Sequence, residues 1–103
     1  MRVLLTGCAG FIGFHVARRL LDRGDELVGV DSINDYYDPA LKHARLAQLG
    51  IDARGAVTGR TCRSDRHPGM EFRRLSLEDR VAIEGVFSGQ AYDLVINLAA
   101  QAG

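Results

Sequence analysis

The chain has 103 residues, 47% hydrophobic and 25% charged, and its acidic and basic side chains cancel to a formal net charge of zero. This length suits one domain and is too short for two. A neutral chain lacks the excess of Lys and Arg that is typical of nucleic-acid binding, and no apolar stretch reaches the roughly 20 residues of a membrane span. No signal-peptide pattern is present. We therefore expect a cytoplasmic protein that binds neither nucleic acid nor a membrane.

The first third of the chain predicts a strand, a helix and a second strand. The apolar run in residues 2–6 stops at a glycine and is typical of a strand buried on both faces. Apolar residues at four-residue spacing across 12–20 then indicate an amphipathic helix that ends at Gly24. Residues 27–31 form a second apolar run, so this segment is typical of a right-handed βαβ unit.

The remainder predicts further alternation of helices and strands. We predict a helix over residues 40–49 and a strand over 70–75, whose alternation indicates one polar face near the sheet edge. A third helix follows, in which Ser76 and Asp79 match the spacing of a capping box, and a buried strand covers 92–98.

This alternation predicts an α/β domain with a Rossmann-type parallel sheet, its four strands in the order 3-2-1-4 and flanked by helices. Residues 51–69 show no period, and a loop of that length is unusual in a compact domain. We interpret it as a mobile surface excursion, with a functional lid as the alternative.

The strongest chemical signal is the segment 6–13, in which glycines stand three apart between the first strand and the first helix. A pyrophosphate needs backbone N–H groups without obstructing side chains at the positive end of a helix, and Gly7 and Gly10 provide this. Gly13 lets the helix lie close to the strand. A tight turn without a ligand is the alternative. We interpret Cys8 as a small residue tolerated in the turn, and both cysteines as reduced thiols.

Asp31 ends the second strand, where a dinucleotide site places an acid that binds the hydroxyls of the adenosine ribose. A solvated aspartate at a strand end is the alternative. Ser32 and Ile33 supply no cation for the 2′-phosphate of NADP, and we do not expect the arginines of residues 51–69 to compensate, so NAD should be preferred.

These features, with Asn97-Leu98-Ala99-Ala100 closing the fourth strand, resemble the extended short-chain dehydrogenase/reductases. The segments 31–38 and 98–103 are similar to UDP-glucuronate 4-epimerases. The resemblance implies an NAD-dependent enzyme that takes a hydride from C4 of a UDP-sugar and returns it to the other face. A nucleotide-sugar 4,6-dehydratase or reductase and a non-catalytic dinucleotide-binding module remain alternatives.

The resemblance also implies the cofactor contacts. The pyrophosphate would lie against Gly7, Gly10, Phe11, Ile12 and Gly13, the adenosine against Asp31, Ser32, Asn34, Ser76 and Leu77, and the nicotinamide ribose against Leu98, Ala99, Ala100 and Gln101. Ser32 stands where the family usually has asparagine, and Ser76 where it commonly has aspartate, so affinity for the adenosine is expected to be reduced.

The family's catalytic Tyr-x-x-x-Lys pair has no counterpart in residues 1–103. The only lysine is Lys42, and the residue four positions before it is Asp38. We therefore expect residues 1–103 to be the N-terminal part of an NAD(P)-binding domain that stops before the catalytic region, with no catalytic residue and no metal ligand. The resemblance implies that the longer parent is a homodimer that acts on a nucleotide sugar.

Overall fold

A computed structural model describes residues 1–33, 39–54 and 60–99. The predicted strands and helices follow in the expected order, with one additional strand between the second helix and the third predicted strand. The elements are β1 (Arg2–Thr6), α1 (Phe11–Asp22), β2 (Glu26–Asp31), α2 (Pro39–Gln48), β3 (Thr61–Arg63), β4 (Met70–Arg74), α3 (Arg80–Phe87) and β5 (Leu94–Asn97). Within these described ranges, none of the helices is both long enough and apolar enough to cross a membrane.

The elements build a five-stranded sheet in the order β3-β4-β2-β1-β5. Parallel pairing places Leu5 opposite Gly29 of β2 and opposite Ile96 of β5, and Gly29 opposite Phe72 of β4. The four predicted strands therefore have the expected order 3-2-1-4, which confirms the Rossmann-type sheet. β3 adds an antiparallel edge strand, so β4 is second from the edge and not at it.

β3 corrects the interpretation of residues 51–69. Ile51 and Ala53 are buried in the core, and the Ser64 hydroxyl donates a hydrogen bond of 2.6 Å to the carbonyl of Leu49 at the end of α2. The segment is therefore anchored to the fold at these points and contains a strand, whereas most of its other described residues lie exposed at the surface. Its mobility stays a prediction. A strand of three residues is too short to show a period in sequence.

Helices cover both faces of the sheet. Val3 and Leu5 of β1 pack on one face with Phe14 of α1 and Leu46 of α2. On the other face, Leu4 lies in a second cluster with β2 residues and α3. Successive strand residues point to opposite faces, so the uninterrupted apolar run in β1 is the pattern that two covered faces require.

β5 was predicted to be buried, and this prediction is wrong for the described chain. Leu94 is 41% exposed and Val95 is 49% exposed. Among the described residues β5 pairs with β1 alone, so its outer edge has no strand beside it. An apolar run indicates that its side chains favour a buried environment. Whether they are buried depends on which other elements of the chain pack against the strand.

The start of α3 also differs from the predicted capping box. Asp79 is the N-cap, and its carboxylate accepts a hydrogen bond of 3.1 Å from the N–H of Ala82. The Ser76 hydroxyl accepts from the N–H of Glu78 at 3.2 Å, within the preceding turn. Ser76 therefore shapes the turn and does not cap the helix.

This cap gives a stability prediction. Asp79→Ala is expected to lower the free energy of unfolding by about 1 kcal/mol, because Ala82 loses the acceptor for its N–H. Urea denaturation would measure the change. Glu78→Ala is the matched control, since Glu78 contributes only its backbone N–H to the turn. Equal losses in the two variants would contradict the assignment of Asp79 as the cap.

Candidate functional site

The carboxyl ends of the parallel strands meet at one edge of the sheet. The N–H of Gly7, just after β1, donates to the carbonyl of Val30 in β2 at 2.8 Å, and the N–H of Leu98, just after β5, donates to the carbonyl of Thr6 at 3.1 Å. β1 has β2 on one side and β5 on the other, so the strand order reverses here. Open α/β sheets bind ligands at such a switch point.

Gly7 and Gly13 are glycines because the backbone leaves no room for a side chain. Gly7 has a φ of +75°, and a Cβ there would lie 2.7 Å from the backbone nitrogen of Ala99. A Cβ on Gly13 would lie 1.9 Å from the carbonyl oxygen of Gly7. These contacts show that α1 packs directly on the turn after β1, as the glycine spacing predicts.

The N-terminus of α1 opens toward this edge without a side-chain cap. Its N-cap is Gly10, which makes no side-chain hydrogen bond, and the first turn contains no acidic residue. The first N–H groups of a helix have no partner inside the helix and lie at the positive end of its dipole. Phe11 and Ile12 are 66% and 65% exposed, so apolar surface lies beside these N–H groups. The arrangement suits an anion with an apolar portion.

Asp31 is a buried carboxylate that accepts hydrogen bonds from three donors among the described residues. It is 5% exposed. Its Oδ2 accepts from the N–H of Ala9 at 3.1 Å, and its Oδ1 accepts from the N–H of Ile33 at 2.8 Å and from the Nζ of Lys42 at 3.2 Å. The alternative of a solvated aspartate at a strand end is therefore wrong. Asp31 therefore links residues 6–13, the glycine turn, to α2.

Two cations of α2 reach this site, and the sequence pattern indicated neither. Lys42 pairs with Asp31. Arg45 donates through Nη1 to the carbonyl of Ala9 at 3.1 Å, and its guanidinium lies 5.9 Å from the centre of the Phe11 ring. The expectation from the sequence considered Ser32, Ile33 and the arginines of residues 51–69 as sources of a cation, and did not consider α2. The spacing of three between Lys42 and Arg45, which places them on one helix face, was the available signal.

Cys8 lies in the glycine turn as a buried thiol. Burial raises its pKa well above the ordinary value, and the negative charge of Asp31 raises it further. A neutral, buried thiol is a poor nucleophile, which agrees with the interpretation of Cys8 as a small packing residue. Cys8 and Cys62 are both free.

Ser76 and Leu77 follow β4, whose last residue, Arg74, pairs with Asp31. The N–H of Leu75 donates to the carbonyl of Asp31 at 3.2 Å, and the chain then continues into these two residues. The Ser76 hydroxyl is already an acceptor for Glu78, while Leu77 is 42% exposed and presents apolar surface at the edge.

Of the remaining predicted cofactor contacts, three fall on described residues and three fall outside them. Ser32 is half-buried directly after Asp31, Leu98 is 37% exposed, and the N–H of Ala99 lies 3.4 Å from the hydroxyl of Thr6. The structure therefore brings these three to the same edge as the glycine turn. The predicted contacts outside the described residues are Asn34, Ala100 and Gln101.

Several known proteins have sequences similar to this chain. The model of the NAD dependent epimerase/dehydratase family matches residues 3–103. A probable UDP-glucuronate 4-epimerase of Rhizobium meliloti is 42% identical over 103 residues, which are 100% of this chain and 26% of that protein. UDP-glucuronate 4-epimerase 3 of Arabidopsis thaliana is 39% identical over 101 residues, or 98% of this chain and 20% of that protein. The chain thus spans about a quarter or less of these relatives.

Solved structures have the same fold. A UDP-glucuronic acid 4-epimerase variant from Bacillus cereus, in complex with UDP-4-deoxy-4-fluoro-glucuronic acid and NAD, has a TM-score of 0.74 and 26% identity, covering 100% of this chain and 27% of that one. A dTDP-glucose 4,6-dehydratase from Bacillus anthracis in complex with NAD has a TM-score of 0.70 over 98% of this chain and 27% of that one. At 18% identity, the second likeness bears on the fold alone.

Proposed function

Because this chain belongs to the NAD-dependent epimerase/dehydratase family, we propose that it binds NAD at the carboxyl edge of its sheet, as the N-terminal part of the NAD-binding domain of a nucleotide-sugar 4-epimerase. The observation that carries the proposal is the uncapped N-terminus of α1, held against the turn at Gly7 and Gly13 and flanked by buried Asp31. A dinucleotide needs this combination of a phosphate cradle and a ribose acceptor.

In this proposal the first N–H groups of α1 stabilise the charge of the pyrophosphate, and the glycines leave room for it. The Asp31 carboxylate accepts hydrogen bonds from the ribose hydroxyls. Leu98 and Ala99 lie beside the nicotinamide ribose and exclude water there. NAD, when bound, supplies the ring that accepts a hydride and returns it.

The proposed substrate is a UDP-sugar of the glucuronate type, oxidised and then reduced at C4. The support is the identity with proteins named UDP-glucuronate 4-epimerase, together with the glycine turn and Asp31. Residues 1–103 contain no Tyr-x-x-x-Lys pair, so we assign proton transfer to other parts of the complete gene product. The homodimeric state and cytoplasmic location stay predictions.

The proposal predicts how activity divides between the complete gene product and residues 1–103. We expect the complete protein with NAD to interconvert UDP-glucuronate and UDP-galacturonate, and residues 1–103 alone to show no conversion. A positioned acid or base contributes about 10²–10⁴-fold, and positioning of the sugar would be lost as well. Chromatography of the UDP-sugars measures both. Conversion by residues 1–103 alone, or none by the complete protein, would contradict the proposal.

A further inference from the structure

We infer that Lys42 is a specificity-determining residue, which balances the charge of Asp31 and thereby sets how strongly the site rejects a phosphate on the 2′ position of the adenosine ribose. This inference rests on the proposed NAD site and deepens it. It concerns a residue to which the sequence assigned no part in binding.

The geometry of the pair leaves both groups able to bind a ligand. Lys42 and Asp31 have side chains that are 12% and 4% exposed and lie 3.2 Å apart. A carboxylate has about four acceptor positions, and the described residues occupy three of them, through Lys42 and the N–H groups of Ala9 and Ile33. An ammonium group has three donors, of which this pairing uses one. A ribose hydroxyl could therefore donate to Asp31 or accept from Lys42, whereas an ionised phosphate oxygen could only accept from Lys42.

Lys42 is held at this position by the packing of α2. Arg45, one turn further along the helix, donates to the carbonyl of Ala9 and lies over the ring of Phe11. Both contacts join α2 to the glycine turn. Lys42 thus approaches Asp31 from a helix anchored to the site, with Leu46 of the same helix buried in the core.

The charge balance decides the effect on cofactor choice. A 2′-phosphate carries about −1.5 to −2 charges near neutral pH. With Lys42 in place it meets a pair without net charge, whereas without Lys42 it meets the Asp31 carboxylate alone. Lys42 therefore weakens the repulsion between the site and the 2′-phosphate of NADP, while Asp31 keeps an acceptor position for a ribose hydroxyl of NAD.

The test is calorimetric titration of NAD and NADP against the complete gene product and its Lys42→Met variant, with displacement of NAD where NADP binds too weakly to titrate. We expect NADP to weaken about tenfold or more, the effect of losing one hydrogen bond to a charged group, and NAD to weaken less. The ratio of the two dissociation constants should therefore rise. Lys42→Arg should keep the ratio close to that of the unmutated protein.

Arg45→Met is the matched control, because it removes a cation from the same helix face without touching Asp31. It should change both affinities by a similar factor. An unchanged ratio in Lys42→Met and in a second variant, Lys42→Gln, with Asp31-dependent binding of NAD retained, would overturn the inference and leave the proposed function standing. Failure of the unmutated protein to bind NAD would overturn both.

Discussion

We expect Gly13→Ala to lower the free energy of unfolding by at least about 3 kcal/mol, or to prevent folding, because the added methyl group has no space. It would lie 1.9 Å from the carbonyl oxygen of Gly7 and 2.8 Å from its carbonyl carbon. Both neighbours are backbone atoms, so relief requires α1 to move away from the turn after β1. Denaturation in urea, followed by circular dichroism, measures the loss.

Gly85→Ala is the matched control for this substitution. Gly85 lies inside α3, and a Cβ there meets no atom within 4 Å. Alanine reduces the freedom of the unfolded chain and favours the helix, so this variant should be more stable by about 0.5–1 kcal/mol. If Gly13→Ala and Gly85→Ala unfolded at the same urea concentration, the close approach of α1 to the turn would be refuted.

Asp31→Ala should cause the largest loss of cofactor binding. Hydrogen bonds to a charged group contribute about 1.5–3 kcal/mol, so we expect the dissociation constant for NAD to rise roughly tenfold to a hundredfold. The advantage of NAD over NADP should narrow at the same time, because the carboxylate that repels the 2′-phosphate is gone. Calorimetric titration of both cofactors against the complete gene product measures the two effects.

Asp52→Ala is the control for Asp31→Ala. The neighbouring guanidinium of Arg54 lowers the pKa of Asp52 to about 2, so this residue is also an ionised aspartate near neutral pH, but an exposed one outside the site. Its removal should leave NAD binding unchanged. Tighter or equal binding of NADP by the unmutated protein would show that Asp31 is not the ribose ligand.

The turn after β1 could be predicted because neighbouring residues determine it. A strand that ends at Gly7 and a helix that begins within a few residues must approach each other closely, and glycines three apart make this possible. Asp31 could be placed for the same reason, since the end of a parallel strand lies beside the end of its neighbour. The spacing of residues along the sequence is therefore enough to predict the turn after β1 and the position of Asp31.

Contacts between distant segments could not be predicted in this way. Lys42 reaches Asp31 from eleven residues away, and its role depends on how α2 packs against the turn. β3 exists because residues 61–63 pair with β4, and three residues carry too little pattern to indicate it. The exposure of Val95 likewise depends on the neighbours of β5 and not on its own sequence.

The most direct measurement is a crystal structure of the complete gene product with NAD bound. We expect the pyrophosphate oxygens to accept hydrogen bonds from the N–H groups of residues 11–13 at the start of α1, and the adenosine ribose hydroxyls to donate to Asp31. NAD bound at another place on the protein, or bound here without contact to Asp31 and the start of α1, would contradict the proposed site.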